Sequence, residues 1–119
     1  MSVNIIMSQV KRLESDLASL NKKLVTELDK EAKAIDKAAK AQKKLINSKT
    51  ATTLRSAQRD LQSAMSAEQK SKEEQAKLSK KIADKTKSLS AKRTSLAKEQ
   101  AKQRENHQKE LEGFCCKVF

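Results

Sequence analysis

The sequence contains no proline, and its single glycine, Gly113, lies near the end of the chain. Because these two residues interrupt helices most strongly, nothing breaks a helix between Ser2 and Glu112. Tryptophan and tyrosine are absent, and a hydrophobic fraction of 36% leaves too little bulk for a globular core. No apolar run approaches the ~18 residues of a membrane span, and the first residues lack the pattern of a signal peptide.

Residues that carry chemistry are also scarce. The chain has one histidine, His107, and two adjacent cysteines, Cys115 and Cys116, which form neither a disulfide framework nor a zinc site. No glycine-rich phosphate loop and no pairing of a nucleophile with a base is present. The sequence therefore predicts a cytoplasmic protein that is not an enzyme, with no catalytic residue, no metal site and no cofactor.

The sequence is rich in heptad spacing. Leu54, Leu61, Ile82, Leu89 and Leu96 fall at multiples of seven residues, which is typical of a coiled coil. An earlier stripe runs from Val3 to Leu24 and then slips by one residue to Leu28 and Ile35, a stutter that would locally unwind the supercoil. The predicted seam comprises Val10, Leu13, Leu17, Leu20, Leu24, Leu28, Ile35, Leu54, Leu61, Leu78, Ile82, Leu89 and Leu96.

A fall in helix propensity at residues 47–53 predicts a turn between two helical arms. The arms would span residues 3–46 and 52–112, with a C-terminal tail at 113–119. If the arms fold back on each other, Val10 faces Leu89 and Leu17 faces Ile82. We therefore predict an all-α fold: an antiparallel two-helix coiled-coil hairpin (residues 1–112) with an overhanging C-terminal helix after Leu96.

The predicted register has a polar middle, where Glu68, Ser71 and Gln75 face Glu31, Leu28 and Leu24. One interpretation is a polar layer that fixes the register at some cost in stability. The other is a hinge or a docking point for another chain. Because two helices leave each stripe half open, we expect a homo-oligomer or a partner coiled coil.

The net charge of +12 has two interpretations. Basic and acidic residues are interspersed, which is typical of a solvated helix surface. The alternative is a basic face for nucleic acid or an anionic membrane surface, although aromatic residues for base stacking are lacking. Net charge is the only support for either of these partners.

The last four residues, Cys116-Lys117-Val118-Phe119, match the C-a-a-X prenylation pattern with a geranylgeranyl-type final residue. Cys115 is available for a palmitoyl chain, and the tail resembles those of prenylated Rho-type small GTPases. Two lipid chains, or one chain with a basic surface, suffice for stable anchoring. The alternative function is therefore a lipid-anchored, basic peripheral membrane protein.

Three segments carry a family resemblance: residues 12–24, residues 48–56 and residues 78–87. Together they resemble the N-terminal coiled-coil leaders that precede Toll/interleukin-receptor-type effector domains in bacterial proteins. The resemblance implies a scaffold that oligomerises and brings effector domains together in bacterial signalling or defence. In that family the effector domain would follow the second arm, where this sequence stops at Phe119, so no catalytic residue is carried over. A bacterial origin would also compete with the prenylation hypothesis.

Overall fold

The computed structural model describes the backbone of residues 2–118 and the side chains of residues 2–112. Helix α1 spans Val3–Ile46 and helix α2 spans Ala51–Val118, and no strand occurs within residues 2–118. The prediction of an all-α chain is confirmed. Helix α2 continues through residues 113–118, which the sequence assigned to a tail, because one glycine costs a helix only about 1 kcal/mol.

Side-chain caps define the helix boundaries. The Ile5 amide donates to Ser2 Oγ at 3.3 Å, so Ser2 is the N-cap of α1. At the start of α2, the Thr53 amide donates to Thr50 Oγ1 at 3.2 Å and the Thr50 amide donates to Thr53 Oγ1 at 3.3 Å. This reciprocal pair is a capping box with threonine in the place of glutamate. Because α1 ends at Ile46 and Thr50 caps α2, the connection between the helices consists of residues 47–50 only.

The inward face of α1 is one uninterrupted heptad stripe. Its members alternate spacings of three and four residues throughout and are all buried or half-buried: Val3, Ile6, Val10, Leu13, Leu17, Leu20, Leu24, Glu27, Glu31, Ala34, Ala38, Ala41 and Leu45. Half-buried Ser48 continues the same spacing in the connection after α1. The predicted stutter after Leu24 is absent. The assignment of Leu28 and Ile35 to the seam is wrong, since their side chains are 49% and 48% exposed.

The inward face of α2 keeps the same rhythm from Ala57 to Glu99. Its members are Ala57, Leu61, Ala64, Glu68, Ser71, Gln75, Leu78, Ile82, Lys85, Leu89, Lys92, Leu96 and Glu99. Because both stripes are regular, a slip on α1 alone would put its side chains out of step with the holes of its partner. Regular spacing therefore outweighs the gain from burying Leu28 and Ile35. Leu54, at the start of α2, is also exposed.

Contacts divide the chain into two compact units. The terminal unit comprises Met1–Ala18 with Ala83–Phe119, and the turn unit comprises Ser19–Ile82. In the terminal unit, Ile6, Val10 and Leu89 form a buried cluster, against which Leu13, Leu17 and Leu96 pack. Val10 and Leu89, predicted to face each other, therefore lie in the same cluster. Bulky aliphatic side chains fill the core of this unit.

Small residues make up most of the buried core of the turn unit, and Leu78 is its one bulky buried member among the described residues. Ala34, Ala41, Ala57, Ala64 and Ser71 are each at most 4% exposed. Within each helix these residues recur every seven positions, so they form a ladder on one edge of each inward stripe. Side chains of this size permit a spacing between helix axes near the lower end of the usual ~8–10 Å range.

All side chains from Gln100 to Glu112 are exposed, and only Leu111 among them is large and apolar. Within residues 2–118, neither helix contains a stretch long and apolar enough to cross a membrane.

Candidate functional site

A polar layer interrupts the apolar seam of the turn unit. Ser71 Oγ donates to the backbone carbonyl oxygen of Glu27 at 2.6 Å and lies 3.2 Å from Glu27 Oε2. Gln75 Nε2 donates to Glu31 Oε2 and lies 3.4 Å from Ser71 Oγ. Four inward side chains, two from each helix, are thus joined by hydrogen bonds where a coiled coil normally carries apolar residues.

Glutamate is tolerated at these inward positions because each carboxylate reaches a partner near the edge of the seam. Glu27 pairs with Lys30 at 3.3 Å, and Glu68 pairs with Lys72 at 3.1 Å. The Glu27 side chain is only 16% exposed, whereas Lys30 is 63% exposed, so the carboxylate meets the lysine at the solvent boundary. Pairing limits the desolvation cost that an isolated buried carboxylate would carry.

The polar layer predicted from the sequence is present with different members on α1. Glu68, Ser71 and Gln75 do lie on the inward face of α2, where Ser71 hydrogen-bonds to Glu27 and Gln75 to Glu31, whereas the predicted partner Leu28 is exposed. Glu27 is an inward residue that a search for bulky apolar side chains overlooks. The signal that finds it is the seven-residue spacing of Ala34, Ala41 and Ser48, which extends back to Glu27.

The surface of the turn unit carries an exposed uncharged stripe on α1. It consists of residues that each follow an inward residue by one position. We name these residues, together with the residues of α2 that follow an inward position between Ala57 and Glu68, the neutral face: Val25, Leu28, Ala32, Ile35, Ala39, Gln42 and Ile46 on α1, and Gln58, Gln62, Met65 and Gln69 on α2. The next residue of this kind on α2, Lys72, is charged and pairs with Glu68, so the neutral face ends before it. Every residue of the neutral face is exposed, with Val25 at 65%, Ile46 at 81% and Met65 at 58%.

The residues that precede an inward position on α1 have the opposite character. We name them the basic face: Lys23, Thr26, Lys30, Lys33, Lys37, Lys40 and Lys44. All are exposed, and no acidic residue occurs at these positions. Asp29 and Asp36 reach in from the outer surface to pair with Lys33 and Lys40. The two flanks of α1 in the turn unit therefore differ sharply in charge.

One contact identifies how the flanks of the two helices are arranged in the turn unit. Lys44 and Asp60, which each precede an inward leucine, form an ion pair at 3.9 Å. The residues that precede an inward position on α1 and those that do so on α2 therefore lie on the same side of this unit. The residues that follow an inward position, which make up the neutral face, lie on the other side.

The predicted seam residues differ in their burial. Val10, Leu78 and Leu89 are buried, and the half-buried members are Leu13, Leu17, Leu20, Leu24, Leu61, Ile82 and Leu96. Leu28, Ile35 and Leu54 are exposed. Leu28 and Ile35 instead belong to the neutral face.

The residues considered for other chemistry add little geometry. His107 lies on the exposed surface of α2. Cys115 and Cys116, the predicted lipidation sites, lie outside the residues whose side chains are described. Among the side chains of residues 2–112, no cluster of three or more histidine, cysteine, aspartate or glutamate residues has metal-binding geometry.

Comparison of the chain with protein-family models, with curated proteins and with solved structures finds no match.

Proposed function

We propose that this chain is a non-enzymatic coiled-coil scaffold, which acts by associating with itself or with a partner coiled coil. In this proposal the two helices form an antiparallel hairpin, and the C-terminal part of α2 overhangs the end of α1. The resemblance to bacterial effector leaders suggests a setting in signalling or defence. The chain would act by bringing helices together.

The observation that carries the proposal is the regular heptad burial of both helices. Inward residues alternate spacings of three and four along the whole of α1 and from Ala57 to Glu99 of α2. Such regularity is the pattern of knobs-into-holes packing between helices. It leaves the outer surface of each helix free to meet other chains.

Cross-helix contacts in each unit support the antiparallel direction. In the terminal unit, Glu14 pairs with Arg93 at 3.2 Å and Asp16 pairs with Lys85 at 3.4 Å. In the turn unit, Glu27 meets Ser71 whereas Lys44 meets Asp60. Within each unit, the contact that involves the later residue of α1 involves the earlier residue of α2.

Distances between spin labels test the hairpin. Cysteines would replace Glu14 and Arg93, with Cys115 and Cys116 changed to serine, and the labelled chain would be diluted with unlabelled chain. We expect an intramolecular distance below about 25 Å, because adjacent helix axes lie ~8–10 Å apart and the labels add their own length. If the helices were joined into one rod, the 79 intervening steps would separate the labels by about 120 Å.

A second labelled pair provides the control. Labels at positions 14 and 44 lie on the same helix, so their distance of about 45 Å depends only on the helical rise and on neither the turn nor the pairing. A control distance near this value, with positions 14 and 93 far apart in the diluted sample, would overturn the hairpin. A short distance seen only without dilution would also overturn it, because the contact would then lie between chains.

A further inference from the structure

No segment within residues 2–112 covers the neutral face of the turn unit. Val25, Leu28, Ile35 and Ile46 are large apolar side chains that stand 48% to 81% exposed on one side of α1. They recur at heptad spacing together with Ala32 and Ala39, and no charged residue occurs among them. Isolated exposed apolar residues are normal on protein surfaces, whereas a contiguous stripe of them marks an interaction site.

We propose that the neutral face binds the same face of a second copy of this chain. The inference rests on the proposed function and makes it specific, since it names the surface and the occupant. The two copies would be related by a two-fold axis, so that each copy presents the same residues to the other. The result is a four-helix arrangement built from two turn units.

Charge favours a second copy as the occupant. Each chain carries a net charge of +12, so two copies repel each other through most of their surfaces. The neutral face is the side of the turn unit where α1 presents no charge, and the six lysines of the basic face lie on the opposite flank. Two copies that meet through their neutral faces keep those lysines apart and in water.

The polar members of the neutral face also suit a copy of themselves. Besides its apolar residues, the neutral face contains four exposed glutamines, Gln42, Gln58, Gln62 and Gln69. A glutamine amide both donates and accepts hydrogen bonds, so it can pair with the same residue on a second copy, which a charged side chain cannot do. A partner of different sequence would be better recognised by charges on this face, and α1 offers none there.

The area is sufficient for a specific pair. The α1 stripe from Val25 to Ile46 is 21 steps long, or about 32 Å, the α2 stretch from Gln58 to Gln69 is 11 steps long, or about 17 Å, and each helix is about 10 Å wide. The face therefore presents about 500 Å² per copy, or about 1,000 Å² in the pair, which is the lower bound for a specific interface.

The test compares two double variants that carry the same new side chain on opposite flanks of α1. L28Q/I35Q removes two apolar side chains from the neutral face, and K23Q/K37Q removes two lysines from the basic face. Analytical ultracentrifugation of the reduced full chain, from about 1 µM to about 1 mM, gives the mass of each. We expect the native chain and K23Q/K37Q to form a species of twice the 13.3 kDa chain mass. In L28Q/I35Q the dissociation constant should rise at least about 100-fold.

The other outcomes overturn the inference in distinguishable ways. A dimer that persists in L28Q/I35Q shows that copies associate through another surface, and the proposed scaffold function then stands without this face. A native chain that stays monomeric at every concentration removes self-association, while the spin-label distance still tests the hairpin separately. A loss of helical circular dichroism in L28Q/I35Q alone would place these residues in the seam and overturn their assignment to a docking face.

Discussion

Enlarging Ser71 should destabilise the turn unit, although the heptad pattern alone predicts the opposite. Ser71 occupies an inward position seven residues before Leu78, where leucine is the usual residue of a coiled coil. If there were room, Ser71→Leu would bury an additional apolar side chain and stabilise the fold by about 1.5–3 kcal/mol. The structure leaves no such room. The hydroxyl already lies 2.6 Å from the Glu27 carbonyl oxygen, and the residue is 4% exposed.

The expected magnitude follows from two terms of the same sign. Forcing extra carbon atoms into a filled core costs about 1–3 kcal/mol, and loss of the hydrogen bond to Glu27 removes a further ~0.5–1.5 kcal/mol. If the helices moved apart to make room for the leucine, buried small residues such as Ala34 and Ala64 would be exposed to water. We therefore expect a net loss of about 2 kcal/mol, which lowers the melting temperature by about 8 °C in a chain of this size.

Ser71→Ala is the matched control, because it removes the hydroxyl without adding bulk. The lost hydrogen bond of ~0.5–1.5 kcal/mol is partly offset by the better helix propensity of alanine, about 0.5 kcal/mol, which leaves a net loss of at most about 1 kcal/mol. Its melting temperature should thus lie within a few degrees of the native value. Thermal unfolding followed by circular dichroism at several concentrations makes the comparison. A melting temperature for Ser71→Leu above that of the native chain would refute the close packing argued for this unit.

Two further predictions concern the ends of the helices. Thr50→Ala removes the N-cap of α2 and should lower the free energy of unfolding by about 1 kcal/mol, as measured by thermal unfolding. Thr52→Ala is the control, because Thr52 is the second residue of α2 and makes no capping bond, so its substitution should change the stability little. If both variants melt alike, the capping box contributes nothing. The alternative lipid-anchor hypothesis, in contrast to the proposed scaffold, requires that expression in a prenylation-competent cell give a chain that carries one geranylgeranyl group on Cys116 and lacks residues 117–119, with Cys116→Ser as the unmodified control. Intact mass measures this directly, and an unmodified chain ending at Phe119 ends the lipid-anchor hypothesis.

The sequence was sufficient for the secondary structure because the relevant signals are local. The absence of proline gives two long helices, and Ser2 and the threonine-rich segment at residues 47–53 contain the capping residues. Helix α2 begins at Ala51, one residue before the predicted start, which is within the usual variation of helix ends. These features depend on backbone preference and not on what the helices pack against.

The assignment of the seam failed in the turn unit for a physical reason. Bulky apolar residues such as Leu28 and Ile35 dominate any stripe that is scored by hydrophobicity, whereas Ala34 and Glu27 contribute little to it. The inward face is decided instead by agreement between two helices, which depends on the regular spacing of both. Small residues in both arms make a narrow seam possible, and the larger apolar residues are then left on the flank.

The polar layer makes one alignment of a repetitive molecule different from all the others. Heptads repeat, so sliding α2 past α1 by seven residues would preserve most of the apolar contacts in the seam. Such a slip in one direction would set Glu27 against Leu78 and Ile82, and would leave its carboxylate without the Ser71 hydroxyl. A charge stranded among aliphatic side chains is costly, so misaligned zippering is disfavoured during folding. The polar layer thus selects a single register among those that the heptad repeat would otherwise allow. It consists of Glu27, Glu31, Ser71 and Gln75.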